Sequence, residues 1–496
     1  MDPRYFTITN DSKIYDQILH GNYSFLPVEN IFEMISYGNF VREVIPLKNP
    51  VLNSVTNKLS SDTIILKSPL KSSKASTFEY LINLGADVNS NNSTPIQRAI
   101  YENKLKIAKL LLKFGVNVNN VKHSLITHAR DLEILKLLIE HGADIHVDND
   151  QPLISAACLG REEIVKYLIE IGANIHTRND FPIRLAVEME DLQMIQLLIE
   201  NGADVQTNSN EPIISAIKQG HLQIVQLLIE NGADIQANSN EPIISASKQG
   251  NLQIVQLLIE NGADVQANSN SNESIILASK FGHLQIVQLL ITHGADIHIN
   301  DDCPLKLSAE NGHYEIVKLL IELGADIAKN NPMMIAAKNG HFEIVKLLIG
   351  FGANIDDQLV VEAVRFGNLE IVQLLEINIS IDFLIGLATT MGHENLVELF
   401  IKHGAYLDYS LGIAAEQNYF KIAQLLIMHG ADIHYKNDYP LRRAAEHGYF
   451  NMVELLIIYG ADIHANNDCA IKLSMQREHT EVTELLIKHG AKKIDL

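Results

Sequence analysis

The chain has 496 residues, 60 acidic against 39 basic, and a formal net charge of −21. That balance repels phosphate backbones and anionic lipid, which argues against nucleic-acid and membrane partners. Hydrophobic residues make up 47% and aromatics only 6%, with no Trp, so this is not a disordered acidic chain; its apolar content suits aliphatic helices packed closely on helices.

The opening residues, MDPRYFTITNDSKIYD, lack a basic stretch followed by an apolar one, so no signal peptide is expected. No apolar run reaches the roughly 18–20 residues that span a bilayer. Cys158, Cys303 and Cys469 are far apart and form no paired framework. The expectation is a soluble, intracellular, cytoplasmic protein. Residues 1–60 do not repeat. Within them Tyr23–Leu47 reads as strand, helix, strand. Val28, Ile31, Phe32 and Ile35 have helical spacing, Gly38 is a stop, and Val41, Val44 and Ile45 suit a strand.

Residues 61–496 repeat. Gly-Ala-Asp or a close relative recurs with its glycine at 85, 115, 142, 172, 202, 232 and 262, then at 294, 324, 352, 404, 430, 460 and 490. The commonest step is thirty, and a worn copy, Leu369–Asp382, keeps the helical pattern without the glycine. This predicts about fourteen or fifteen units. Ser209–Asn238 and Ser239–Asn268 differ at only three positions; the next unit carries two extra residues near Ser269–Asn272. In one unit, Ser239 or Asn240 can cap a first helix, Pro242 suits its first turn, and Ile243 and Ala246 supply a narrow apolar stripe. Gly250 ends that helix in a left-handed turn. A second helix follows, apolar over most of its surface through Ile254, Val255, Leu257, Leu258 and Ile259, and Gly262 ends it. A helix so apolar must be covered by the units on both sides.

The pattern Pro-Ile/Leu-x-x-Ala-Ala-x-x-Gly-His-x-x-Ile-Val-x-Leu-Leu-Ile-x-x-Gly-Ala-Asp, clearest at Pro152–Ile175, Pro304–Ile327 and Pro332–Ile355, resembles the ankyrin repeat. The resemblance covers about residues 75–495. It implies an all-α solenoid of stacked helix pairs behind a small α/β N-terminal cap module, and a non-enzymatic scaffold that binds proteins on its concave face. The family period is 33 residues, and the shortfall here lies in the hairpin finger, so the fingers are expected to be stunted. Thr-Pro-Leu-His survives only as Thr94-Pro95-Ile96-Gln97. The N-terminal stretch, with Tyr37 to Val44, resembles the module preceding repeats in ankyrin proteins of giant amoebal viruses, which implies a viral protein acting in the host cytoplasm on host or viral partners. A rival resemblance is that of Leu26-Pro27-Val28-Glu29-Asn30-Ile31 to the opening of an F-box, which implies a ubiquitin-ligase adaptor. Against it, the expected Trp is absent and strand-like residues follow.

Candidate chemistry was weighed against plainer roles. Of 20 histidines, His146, His176, His298, His434 and His464 recur after Gly-Ala-Asp/Asn-Ile, while His221, His283, His313, His341 and His393 follow the first-helix glycine. Fixed repeat positions point to structure, because units about 8–10 Å apart do not converge on a metal with bonds of about 2 Å. A carboxylate recurring a dozen times is likewise a turn device. No phosphate-binding or nucleophile motif is present, and no cofactor is expected. Partner-binding residues are placed just before the first-helix glycine, which faces the concave side in ankyrin proteins. Leu159, Met189, Phe281, Phe366 and Met391 are apolar there, where Gln219, Gln249, Asn311 and Asn339 are polar. They either anchor a partner or cover a neighbouring side chain. Lys218, Lys248, Lys280 and Lys338 form a basic ladder for an acidic partner, or a solvated face. The expected assembly is a monomer.

Overall fold

The computed structural model describes residues 5–9, 18–33, 40–46, 51–53, 58–66, 70–71, 74–119, 124–266 and 273–492. Ile35, Tyr37, Gly38 and the insertion at Ser269–Asn272 lie outside them. The chain divides into two units, Met1–Asn238 and Ser239–Leu496.

The first unit opens with β1 (Tyr5–Thr9), β2 (Ile18–Pro27), β3 (Phe40–Pro46), β4 (Val51–Asn53), β5 (Lys58–Leu66) and β6 (Leu70–Lys71). β1 pairs with β2 and β3, and β5 also pairs with β2 and β3, all antiparallel, so these four strands close on themselves. β4 attaches to β5 and β6 to β3. Closure removes exposed edges, which otherwise template aggregation. The expected boundary at residue 60 falls inside β5, and the helices begin at Ala75.

Between β2 and β3, Val28–Glu33 makes a 3-10 turn whose Ile31 and Phe32 are wholly buried. Phe32 stacks on Phe78 of helix Ala75–Asn83, ring centroids 5.3 Å apart, and the Glu29 carbonyl accepts from the Asp87 amide at 3.0 Å. Helix Ala75–Asn83 ends at Gly85 as second helices do, yet among the described residues no first helix precedes it. The 3-10 turn stands in for one and packs against the next first helix, Ser90–Tyr101. The F-box reading gains no support from this arrangement. Leu26-Pro27 ends a strand, and Ile31 is spent inside the first repeat rather than on a free helical bundle.

From Ser90 on, the chain alternates first and second helices, and the fold is an all-α repeat solenoid. The second helix is regularly nine residues, as in Leu252–Glu260, where Ile254, Val255 and Leu258 are 2% exposed or less. Each such burial contributes about 1.5–3 kcal/mol, and it is completed only by neighbouring pairs. Gly250 and Gly262 end the two helices at φ +80° and +90°. The last described pair, Ala465–Gln476 and Thr480–Lys488, turns Gln476, Arg477, Glu478, Thr480 and Glu484 to solvent.

The short connection takes an unexpected form. Where Ser239 or Asn240 was expected to cap the first helix, Asn238, Ser239 and Asn240 all have positive φ. Six other connections do the same: residues 148–150, 178–180, 208–210, 300–302, 436–438 and 466–468 have φ of +49° to +62° and ψ of +30° to +65°. Each is one turn of left-handed helix, and it replaces the hairpin finger. The conformation is costly for L-residues, least so for Asn and Asp, which fill most of these positions. Cross-repeat hydrogen bonds offset the cost. Thr177 Oγ1 donates to the Asn149 carbonyl at 2.8 Å, and Thr207 Oγ1 to the Asn179 carbonyl at 3.0 Å.

Several of the described repeats depart from the pattern. Leu125–His128 is a 3-10 turn in place of a first helix. The worn copy keeps helix only over Leu369–Leu374, because without a glycine it leaves through extended Leu375 at ψ 142°. The repeats opened by helices Asp357–Arg365, Ile381–Met391 and Asp408–Glu416 have no left-handed turn before them.

Candidate functional site

The recurring polar residues build the frame on which any binding face is carried. The Asp of Gly-Ala-Asp accepts from the amide two residues on, as Asp144 does from His146 at 2.9 Å, which closes an Asx turn. The histidine there gives its Nδ1 to the third left-handed residue: His146 to Asp150, His176 to Asp180, His298 to Asp302, His434 to Asp438 and His464 to Asp468, at 2.6–3.1 Å. That carboxylate also accepts an amide of the next repeat, as Asp180 does from Asp204 at 2.9 Å. The second histidine set reaches backward. His283, His313, His341 and His393 place Nε2 2.8–3.2 Å from the carbonyls of Lys248, Lys280, Glu310 and Arg365 at the end of the preceding first helix. Among the described residues no three His, Cys, Asp or Glu side chains converge on a metal position.

The glycines before these histidines are demanded twice. They have positive φ, and a Cβ on Gly250, Gly282, Gly312 or Gly367 would lie 2.6–2.7 Å from the next repeat's imidazole. Each histidine lies across the glycine of the preceding repeat and ties successive first helices together.

The proposed anchors sit on this frame at the ends of first helices. Leu159, Met189, Phe281, Phe366 and Met391 are 57, 55, 43, 51 and 41% exposed. Leu159 and Met189 occupy consecutive repeats of the first unit. Phe366 and Met391 do so in the second, with Phe281 separated from them by two intervening repeats. Lys218, Lys248, Lys280 and Lys338 are all exposed. Two of them lie over an anchor: Lys280 Nζ is 5.7 Å from the Phe281 ring centroid and Lys338 Nζ 6.0 Å from that of Phe366. Lys338 is also 3.6 Å from Glu362, a carboxylate only 5% exposed as a residue and braced by Arg365 at 3.1 Å.

A second feature of this face escaped the sequence reading. The lysine column reads Glu310, Glu416 and Glu446 in other repeats. Glu416 accepts from Arg443 and from the Tyr439 hydroxyl, the latter at 3.0 Å, and Arg477 approaches Glu446 at 3.3 Å. The ladder is therefore basic only in part, and aligning the repeats by column would have exposed the change of sign. The hydrogen bond from Arg443 holds the Glu416 carboxyl below the usual range. A carboxyl depressed in the folded state adds stability above its unfolded value and loses it as pH falls through the folded one. The C-terminal repeats are thus expected to melt earlier below about pH 4, where free glutamate protonates. Thermal scans between neutral and acid pH check this, and Glu416→Gln should show a flatter acid limb; identical limbs would contradict it.

On the other face, a groove of about 520 Å³ crosses second helices Glu162–Glu170, Leu192–Glu200 and Leu222–Glu230. Its walls carry carboxylates already engaged by glutamine, as Gln196 to Glu200 at 2.8 Å and Gln226 to Glu230 at 2.9 Å. It contains none of the proposed anchors.

Comparison with known families agrees with this frame. The family described as "Ankyrin repeats (3 copies)" matches residues 122–179, 183–269, 243–331, 275–359, 305–384 and 360–437, and that described as "Ankyrin repeat" matches 91–124 and 436–468. The chain belongs to the ankyrin-repeat family. Seven of the connections between its ankyrin repeats are a left-handed turn where the resemblance implied a shortened hairpin. The matches comprise repeats and no catalytic domain. No curated protein matches the chain. Among the described residues no helix is long and apolar enough to cross a membrane.

Proposed function

We propose that this ankyrin-repeat protein is a non-enzymatic scaffold that binds other proteins on the face formed by its first helices. One observation carries the reading. Leu159, Met189, Phe281, Phe366 and Met391 are exposed where sister repeats of the same chain carry Gln219, Gln249, Asn311 and Asn339. The fold does not require an apolar residue at that position, so the substitution is available for recognition. The neighbouring lysines favour an acidic partner surface around the anchors. A viral protein acting on host or viral partners in the host cytoplasm is the finer reading, and the residues Tyr37 to Val44 support it by resemblance alone.

Affinity capture with all five anchors changed to Glu tests the proposal. Buried hot-spot side chains contribute about 2 kcal/mol or more each, so losing two that act together weakens a complex by over about a hundredfold. The folded variant is expected to lose the partners held by the parent. Retention of every partner would show that the anchors are misplaced.

A further inference from the structure

Among the described residues, the repeats opened by helices Asp357–Arg365, Ile381–Met391 and Asp408–Glu416 lack a left-handed turn, are consecutive and lie within the Ser239–Leu496 unit. In seven other repeats the turn places Asn and Asp beside the start of the first helix. Here it is missing, and Phe383, Tyr406 and Tyr409 are 53, 52 and 54% exposed. Backbone contacts bring their segments together. The Tyr406 amide donates to Asp382 Oδ1 at 2.7 Å, and Asp382 adjoins Phe383. Asp408, which adjoins Tyr409, pushes the Tyr406 phenol up to about 12. The Tyr409 ring lies across Gly386 of the preceding first helix, where a Cβ would touch it at 3.7 Å.

The local charge says what such a surface would take. From Gly352 to Ser410 the sequence holds nine carboxylates and two cations, Arg365 and Lys402. Both cations are already paired, Arg365 with Glu362 at 3.1 Å and Lys402 with Glu398 at 2.8 Å. Exposed aromatic faces among carboxylates attract cations through the ring quadrupole and through the field together. An acidic or purely apolar partner would be repelled or left poorly matched there.

We propose that this gap between turns is a docking notch for an arginine- or lysine-rich segment of a partner protein, with Phe383, Tyr406 and Tyr409 as its aromatic floor. It is separate from the anchors at the other end of the first helices and takes the opposite charge. The test is fluorescence anisotropy of the full-length protein with a labelled peptide of alternating arginine and serine, and with its citrulline counterpart, at physiological ionic strength. The arginine peptide is expected to bind and the citrulline peptide not to. The triple variant F383A/Y406A/Y409A should weaken binding about tenfold or more, as three cation–π contacts would. Y406F/Y409F should bind as the parent does, and so should the protein with its five first-helix anchors changed to Gln, which adds no charge and separates failure of this site from failure of the other. Should the triple variant not fold, F383A and Y409A singly are each expected to weaken binding about two- to fivefold, since both rings are more than half exposed. No binding by the parent, equal binding of the two peptides, or undiminished binding by the aromatic variants would overturn the proposal, the last by showing a general attraction to a negative protein.

Discussion

Gly282→Ala is expected to destabilise the Ser239–Leu496 unit by about 3 kcal/mol, combining a left-handed backbone penalty with overpacking. Gly324→Ala should cost only the backbone part, about 1–2 kcal/mol. Both glycines have positive φ, +83° and +98°. They differ in what an added methyl would meet. At Gly282 it would lie 2.7 Å from His313, whose Nε2 is held 2.8 Å from the Lys280 carbonyl and cannot retreat without giving up that bond. At Gly324 nothing lies within 4 Å. Denaturant unfolding of the two variants measures the difference. Adding His313→Ala to Gly282→Ala should make its further cost resemble that of Gly324→Ala, since the clash is gone. Equal losses in the two single variants would remove the histidine-over-glycine contact from the account of how first helices are tied.

The second large effect is expected at the left-handed turn. Asp180 is 6% exposed, accepts His176 Nδ1 at 2.8 Å and takes the amide of Asp204 in the following repeat at 2.9 Å. Asp180→Ala leaves both donors without their acceptor and places alanine at φ +49°, so a loss of about 3–4 kcal/mol is expected. Asp180→Asn should cost about 1 kcal/mol, because the amide oxygen still takes the Asp204 amide. The chain itself makes the case. Five turns pair His with Asp, whereas Asn210 and Asn240 follow Gln206 and Gln236, and Asn210 Oδ1 still takes the Asp234 amide at 3.1 Å. Thermal unfolding of the two variants decides; an Asn variant as damaged as the Ala variant would mean that the histidine contact, not the bond to the next repeat, holds the turn.

Much of this frame was legible from residue type and period. Ile254, Val255 and Leu258 recur at helical spacing, so their burial follows from one unit read alone. The left-handed ends at Gly250 and Gly262 follow from glycine's lack of a Cβ. The exposed apolar side chains proposed as anchors were legible because one column of the repeat changes chemistry from unit to unit. The worn copy was harder: its apolar spacing continues past Leu374, but the helix stops there once the terminating glycine is missing.

The amino-acid order alone determined that there are repeats, where their helices begin and end, and which faces are apolar. These are local properties, set by backbone preference and by spacing along a single helix. Only the tertiary structure decided that Asn238, Ser239 and Asn240 form a left-handed turn, since residues that disfavour this conformation are held in it by bonds from the adjoining repeat. It decided likewise that Val28–Glu33 completes the first repeat, and that Phe383, Tyr406 and Tyr409 are exposed beside repeats that lack the turn. Each joins residues remote in the chain, and such contacts depend on how neighbouring pairs stack, which no single unit encodes.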